Sequence, residues 1–171
     1  SIENSLRDTV GIIIAASGNE KRWSIRNYIK VIQFLKEKNY KNFLIISGLD
    51  QSKEEELISE NFKDNVDITF TADKKINDVI PYLKRCKFCI GNDTGFSHLS
   101  VNLDIETIVI QGDCPPQTYS KLLKHIDIEP DVTRSSTSIH TIKAEKVLDE
   151  LSNFLNRRGG RVVEGARLES V

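Results

Sequence analysis

Short apolar runs alternate with helix-like segments along most of the chain. Val10–Ala15 has the length and composition of a strand that is covered on both faces. Four further segments are predicted as strands: Phe43–Ile46, Val66–Phe70, Phe88–Ile90 and Thr107–Ile110. Between and after these strands, apolar residues recur every three or four positions, as in amphipathic helices. The first such segment follows the predicted N-cap Ser24. The others are Ser52–Asn61, Ile76–Arg85, Gly95–Leu103 and, after an irregular stretch, Ala144–Asn156. Helical crossovers join parallel strands, so the alternation predicts an α/β fold. We expect a Rossmann-like, mostly parallel sheet with Val10–Ala15 at its centre and helices on both faces.

The composition excludes several classes of protein. The chain has 171 residues and 39% hydrophobic residues, which suffices for one domain with a substantial core. A net charge of -1 provides no general attraction to nucleic acid or to an anionic membrane. No apolar run approaches the length of a membrane span, and Ser1–Thr9 has no apolar stretch of a secretory signal. Cys86 and Cys89 have metal-site spacing without a second pair, so we expect buried thiols, no metal and a reducing, cytoplasmic location.

The last residues differ in composition from the rest of the chain. Four of the nine arginines lie in the final fifteen residues, and no lysine follows Lys146. We therefore expect one domain over residues 1–158 and a vector-derived or disordered tail over residues 159–171.

The segment Phe88–Leu99 (FCIGNDTGFSHL) combines a buried strand, a polar turn and a helix start. Asp93 is predicted at the carboxyl end of the strand, and Thr94 and Gly95 at the helix N-terminus, where free amides favour a diphosphate. His98 lies one helical turn further on. The alternative is structural: Asp93 caps the helix and His98 packs against it.

Three other polar turns follow strands of the same predicted sheet and are expected at the same edge. After the first strand, Ser17 offers a hydroxyl and Lys21 a cation for a phosphate, or the loop is merely solvated. After the second strand, Asp50 stands where acidic residues commonly receive ribose hydroxyls, or it starts the next helix. After the fifth strand, Asp113 either touches a ligand or caps a turn made rigid by two prolines.

Together these turns resemble the heptosyltransferases, glycosyltransferase family nine. The resemblance rests on Lys21-Arg22-Trp23, Ser47-Gly48 and Asp93-Thr94-Gly95-x-x-His98-Leu99, and extends from about Val10 to Tyr119. It implies a GT-B enzyme of two Rossmann-like domains, of which this chain resembles the carboxyl-terminal, donor-binding one. The chain departs from the family pattern in Ala16-Ser17, in Ser24 after the tryptophan, and in the turn GDCPP after the fifth strand.

The resemblance implies a role for each site residue. Ser17 and Lys21 would contact the phosphates, Asp50 the ribose, Thr94 and Gly95 the diphosphate, and Asp93 the sugar hydroxyls with His98 beside it. No cofactor is implied, and the catalytic base is expected in the absent amino-terminal domain. The reaction implied is inverting transfer of a heptose-like sugar from a nucleoside diphosphate sugar such as ADP-heptose.

The implied acceptor is a glycolipid of the lipopolysaccharide type, which the absent domain would bind. Such an acceptor would place the protein in the cytoplasm, at the inner face of the inner membrane. Two rival interpretations remain: a regulatory nucleotide-binding module without transferase activity, and half of a sugar-nucleotide epimerase.

Overall fold

Six parallel strands form one sheet in the order β3-β2-β1-β4-β5-β6. This computed structural model describes the backbone of residues 8–168 and the side chains of residues 8–160. The strands are β1 (Thr9–Ile13), β2 (Asn42–Ile46), β3 (Asp67–Phe70), β4 (Cys86–Asn92), β5 (Thr107–Ile110) and β6 (Leu123–Ile126). The helices are α1 (Ile25–Glu37), α2 (Ser52–Asn61), α3 (Ile76–Leu83), α4 (Gly95–Asn102) and α5 (Ala144–Leu168). This is the strand order of dinucleotide-binding sheets, and the order reverses between β1 and β4.

Two hydrophobic layers cover the sheet and confirm the predicted fold class. Helices α1, α2 and α5 pack on one face, where Tyr28, Ile58 and Leu151 meet alternate residues of β1, β2 and β4. Helices α3 and α4 cover the other face. The six residues that the sequence places in the strand core are at most 2% exposed: Ile12, Ile14, Leu44, Ile46, Ile108 and Ile110. The sheet therefore forms the centre of the molecule, with β1 between β2 and β4.

Strand β6 is absent from the sequence-based prediction. It has four residues, pairs only with β5, and carries exposed Lys124 and half-buried His125 between its two apolar ends. An edge strand needs no apolar side chain at every position, because only part of it is covered. Its short, polar sequence therefore has no apolar run from which to predict it.

The last helix is longer than the sequence indicates. The backbone of α5 is helical through Gly159 and Gly160 to Leu168, into the segment expected to be a tail. The foreign origin of residues 159–171 stays a prediction, and residues 169–171 lie outside the described residues. Within the part of the chain that the structure describes, no helix is long and apolar enough to cross a membrane.

Candidate functional site

Two adjoining cavities lie at the carboxyl edge of the sheet, and Ser17 and Asp93 line both of them. The larger has a volume of about 590 Å³ and is walled mostly by apolar groups: Ala15, Ala16, Ile76, Phe96 and Leu99. The smaller has a volume of about 210 Å³ and is mostly polar, lined among others by Lys21, Gln111, Asp113 and Ser136. The topological switch between β1 and β4 therefore opens into a cleft with one apolar and one polar end.

Asn92, the last residue of β4, connects the segments that form this cleft. Its side chain is fully buried, and its Oδ1 accepts hydrogen bonds from the Trp23 amide (3.1 Å) and the Tyr28 hydroxyl (2.7 Å). Its Nδ2 donates to the carbonyl of Ile14 at 3.0 Å and approaches that of Ala15 at 3.4 Å. One amide thus fixes the end of β1 and the loop after it against Asp93.

Asp93 and His98 form a hydrogen-bonded pair beside the cleft. Nε2 of His98 lies 2.9 Å from Oδ1 of Asp93, and Nδ1 lies 2.6 Å from the hydroxyl of Tyr119. Burial and the Asp93 carboxylate raise the pKa of Tyr119, so this hydroxyl is protonated at neutral pH. Because a carboxylate oxygen only accepts hydrogen bonds, the Nε2–H of His98 donates to Asp93. His98 therefore orients the Asp93 carboxylate, a role that its spacing alone leaves open.

Helix α4 is capped by Thr94. Its hydroxyl accepts a hydrogen bond from the Phe96 amide at 3.2 Å, so the alternative in which Asp93 caps the helix is wrong. At Gly95, the first helical residue, an added Cβ would have no heavy-atom neighbour within 4 Å. The backbone here faces open space, where free amides and the positive end of the helix dipole attract anions.

Lys21 reaches the polar end of the cleft from a 3-10 turn at Asn19–Lys21. Its Nζ lies 3.2 Å from Oδ2 of Asp113, and both side chains are partly exposed. The two loops after β1 and β5 therefore meet across the smaller cavity through this ion pair.

Asp50 lies outside both cavities. Nη2 of Arg22 donates to its two carboxylate oxygens at 3.0 and 2.9 Å, and also contacts the carbonyl of Ala16 at 3.3 Å. This hydrogen bonding lowers the pKa of Asp50, which keeps the exposed carboxylate ionised. Arg22 thus links the loops after β1 and β2, a contact that the sequence analysis does not predict.

The structure brings Ser17, Lys21, Asp93, Thr94 and Gly95 to the cleft walls, with His98 directly behind Asp93. Among the described residues, no group of three or more histidine, cysteine or acidic side chains could hold a metal ion. Fold and site together define a Rossmann-like α/β domain with a cleft at the carboxyl edge of its sheet and an open helix N-terminus beside that cleft.

The family follows from the sequence. The model of glycosyltransferase family 9 (heptosyltransferase) matches residues 3–146, and the chain belongs to this family. The comparison with curated proteins gives no match.

Solved structures of the family share the fold. ADP-heptose lipopolysaccharide heptosyltransferase II of E. coli superposes with a TM-score of 0.74 at 19% identity, covering 91% of this chain and 48% of that one. A family 9 glycosyl transferase from Veillonella parvula DSM 2008 gives 0.74 at 15% identity, covering 91% and 51%. E. coli heptosyltransferase WaaC with ADP gives 0.67 at 19% identity, covering 85% and 44%. The chain thus spans about half the length of these proteins.

Proposed function

We propose that this chain is the carboxyl-terminal, donor-binding domain of a glycosyltransferase. The donor would be a nucleoside diphosphate sugar of the ADP-heptose kind, since a related structure contains ADP and another ADP-2-deoxy-2-fluoro heptose. The acceptor would be a lipopolysaccharide-type glycolipid held by a second domain, with the enzyme at the cytoplasmic face of the inner membrane. The observation that carries the proposal is the open start of α4 at Gly95, between one apolar and one polar cavity.

The base, the diphosphate and the sugar of a sugar nucleotide each have chemically suitable residues in the cleft, whereas Asp50, which is expected to contact the ribose, lies outside both cavities. The apolar cavity beside Phe96 and Leu99 suits a base, whose flat faces are apolar. The diphosphate would lie at the amides of Thr94 and Gly95 and accept a charge-assisted hydrogen bond from Lys21. Asp93, between the cavities, would accept hydrogen bonds from sugar hydroxyls.

These groups also suit the proposed inverting reaction. When an acceptor hydroxyl displaces the diphosphate, negative charge grows on the leaving group. The helix terminus and Lys21 would stabilise that charge, which is an electrostatic contribution to catalysis. His98 occupies one oxygen of Asp93, and the carboxylate lies on the donor side. We therefore assign Asp93 to sugar binding and expect the base from the second domain.

Calorimetric titration with ADP and ADP-heptose tests the assignment. Lys21→Ala should weaken the binding of both ligands by about 1.5–3 kcal/mol, the contribution of a hydrogen bond to a charged group, because the partner of Lys21 is the phosphate. Asp93→Ala should weaken ADP-heptose more than ADP, because its partner is the sugar. Lys41→Ala and Asp64→Ala are matched controls, since both residues are exposed and precede strands at the opposite edge of the sheet.

Two results would count against this assignment. Equal losses for the two ligands in Asp93→Ala would remove the sugar contact. Failure of the unmodified chain to bind ADP at millimolar concentration would contradict the donor-binding function.

A further inference from the structure

The turn after β5 is held rigidly from several sides. Gly112 packs so closely on the 3-10 turn Ser138–Thr141 that a Cβ would lie 2.4 Å from the Ile139 nitrogen. Nη1 of Arg134 donates to the carbonyl of Cys114 at 2.9 Å, and Arg134 is itself fixed by two hydrogen bonds to Asp127 at 2.8 and 2.7 Å. Asp113, between these two anchored residues, is therefore presented in a defined position.

Buried Gln111 fixes the same turn from inside. It is 1% exposed, its Nε2 donates to the carbonyl of Pro115 at 3.3 Å, and its Oε1 lies 2.9 Å from Nδ1 of His125. A solvated turn needs no such support. The anchoring indicates that the position of the Asp113 carboxylate matters for what the cavity binds.

Asp113 and Lys21 form an ion pair inside the smaller cavity, where each could also contact a bound sugar nucleotide. Their ion pair is 3.2 Å long, and both line the 210 Å³ cavity together with Asp93 and Ser17. Burial raises the pKa of the Cys114 thiol, and the carboxylates of Asp113 and Asp93 raise it further, so two carboxylates act on the same small space. Such a space disfavours a further anion, whereas the hydroxyl groups of a sugar donate hydrogen bonds to carboxylates.

We propose that Asp113 is a specificity-determining residue that exchanges Lys21 for a sugar hydroxyl when the donor binds; this rests on the donor-binding function proposed above. In the free protein, Asp113 is the counterion of Lys21. When a diphosphate takes Lys21, the Asp113 carboxylate loses its partner, and a sugar hydroxyl in the polar cavity replaces it. The turn GDCPP, which departs from the family pattern, thereby contributes a second acidic contact to the sugar.

The exchange favours the donor over the product nucleotide. ADP draws Lys21 away and leaves the Asp113 carboxylate without its ammonium partner, whereas ADP-heptose supplies a hydroxyl group in its place. The same carboxylate therefore weakens ADP binding and strengthens ADP-heptose binding. A residue that served only as a counterion of Lys21 would weaken both ligands alike.

Titration of ADP and ADP-heptose into the 171-residue chain and its Asp113→Ala variant tests the exchange. The variant should bind ADP roughly two- to fivefold more tightly, as expected for release of an exposed ion pair. It should bind ADP-heptose more weakly, so that the ratio of the two affinities falls roughly tenfold or more. Asp113→Asn, which keeps a carbonyl acceptor, should give a smaller fall. Asp64→Asn removes the same charge from the opposite edge of the sheet and should leave the ratio unchanged.

The Asp113→Ala substitution in a Lys21→Gln variant isolates the role of Lys21. In Lys21→Gln there is no ammonium group to release, so adding Asp113→Ala should tighten ADP binding less than it does in the unmodified chain. The part that remains is the repulsion between the Asp113 carboxylate and the diphosphate. An unchanged affinity ratio in Asp113→Ala, with ADP still bound by the unmodified chain, would overturn the exchange but leave the proposed function standing. Absence of ADP binding by the unmodified chain would overturn both.

Discussion

At the scale of single residues, the site depends on buried polar contacts between distant parts of the sequence. Asn92 binds Trp23 and Tyr28, which lie 69 and 64 positions away, and the carbonyl of Ile14, which lies 78 positions away. Arg22 joins Asp50 across 28 positions. The local sequence pattern predicts that Asp93, Thr94, Gly95 and His98 lie at the site, because a strand end and a helix start lie within six residues of each other. It cannot find Asn92, Arg22 or Tyr119, whose partners are brought near only by the folded sheet.

Asn92→Ala is expected to lower the free energy of unfolding by about 2–4 kcal/mol. It removes the hydrogen-bond acceptor of a buried amide and a buried hydroxyl, and the donor to a buried carbonyl. Urea denaturation measures the change. Asn102→Ala, at the exposed end of α4, is the control and should change stability by less than about 0.5 kcal/mol. Similar effects of the two substitutions would contradict the central role of Asn92.

At the scale of elements, apolar patterns predict β1 to β5 and the five described α-helices. Burial on both faces makes a central strand a continuous apolar run, and burial of one face gives a helix an apolar residue every three or four positions. The edge strand β3 is predicted because Ile68 and Phe70 alternate with exposed Asp67 and Thr69. The edge strand β6 and the 3-10 turns carry no such period. The sequence predicts Ser24 as the N-cap of α1. The helix begins directly after Ser24, but the Ser24 side chain makes no capping hydrogen bond.

Substitution by alanine at two glycines only four residues apart is expected to affect different properties, the stability of the fold at Gly91 and ADP binding at Gly95. At Gly91 in β4, a Cβ would lie 2.2 Å from the Ile13 carbonyl oxygen of the neighbouring strand, so Gly91→Ala should cost about 3 kcal/mol or more. At Gly95 a Cβ meets nothing within 4 Å, so Gly95→Ala should change the free energy of unfolding by at most about 1 kcal/mol. It should instead weaken ADP binding, by about 1.5–3 kcal/mol, because the methyl group keeps the phosphate from the amides.

Thermal unfolding and calorimetric titration of the two variants distinguish strand packing from ligand approach. If Gly95→Ala bound ADP as the unmodified chain does, the phosphate would not lie at the start of α4. If Gly91→Ala retained full stability, β1 and β4 could not be as close as the register indicates.

At the scale of the whole molecule, the carboxyl edge of the sheet carries an open cleft formed by two adjoining cavities. The cleft walls come from the loops after β1, β4 and β5, with Ile76 of α3 at the apolar end. The chain covers 48% of the length of heptosyltransferase II and 51% of the Veillonella protein. The remaining half of such a protein is where we expect the acceptor site and the catalytic base.

The 171-residue chain alone is therefore expected to bind the donor without using it. The proposed donor contacts all belong to this chain, so we expect ADP and ADP-heptose to bind measurably. Transfer also needs an acceptor held in line with the sugar and a group that takes its proton, and together these contribute several powers of ten in rate. It also needs exclusion of water, which an open cleft does not provide. Release of ADP from ADP-heptose in the presence of a lipopolysaccharide-type acceptor measures turnover, with E. coli heptosyltransferase II as the positive control. Acceptor-dependent ADP release by the chain alone would show that this domain carries its own base. Loss of that release in Asp93→Ala at saturating ADP-heptose would overturn the assignment of Asp93 to binding.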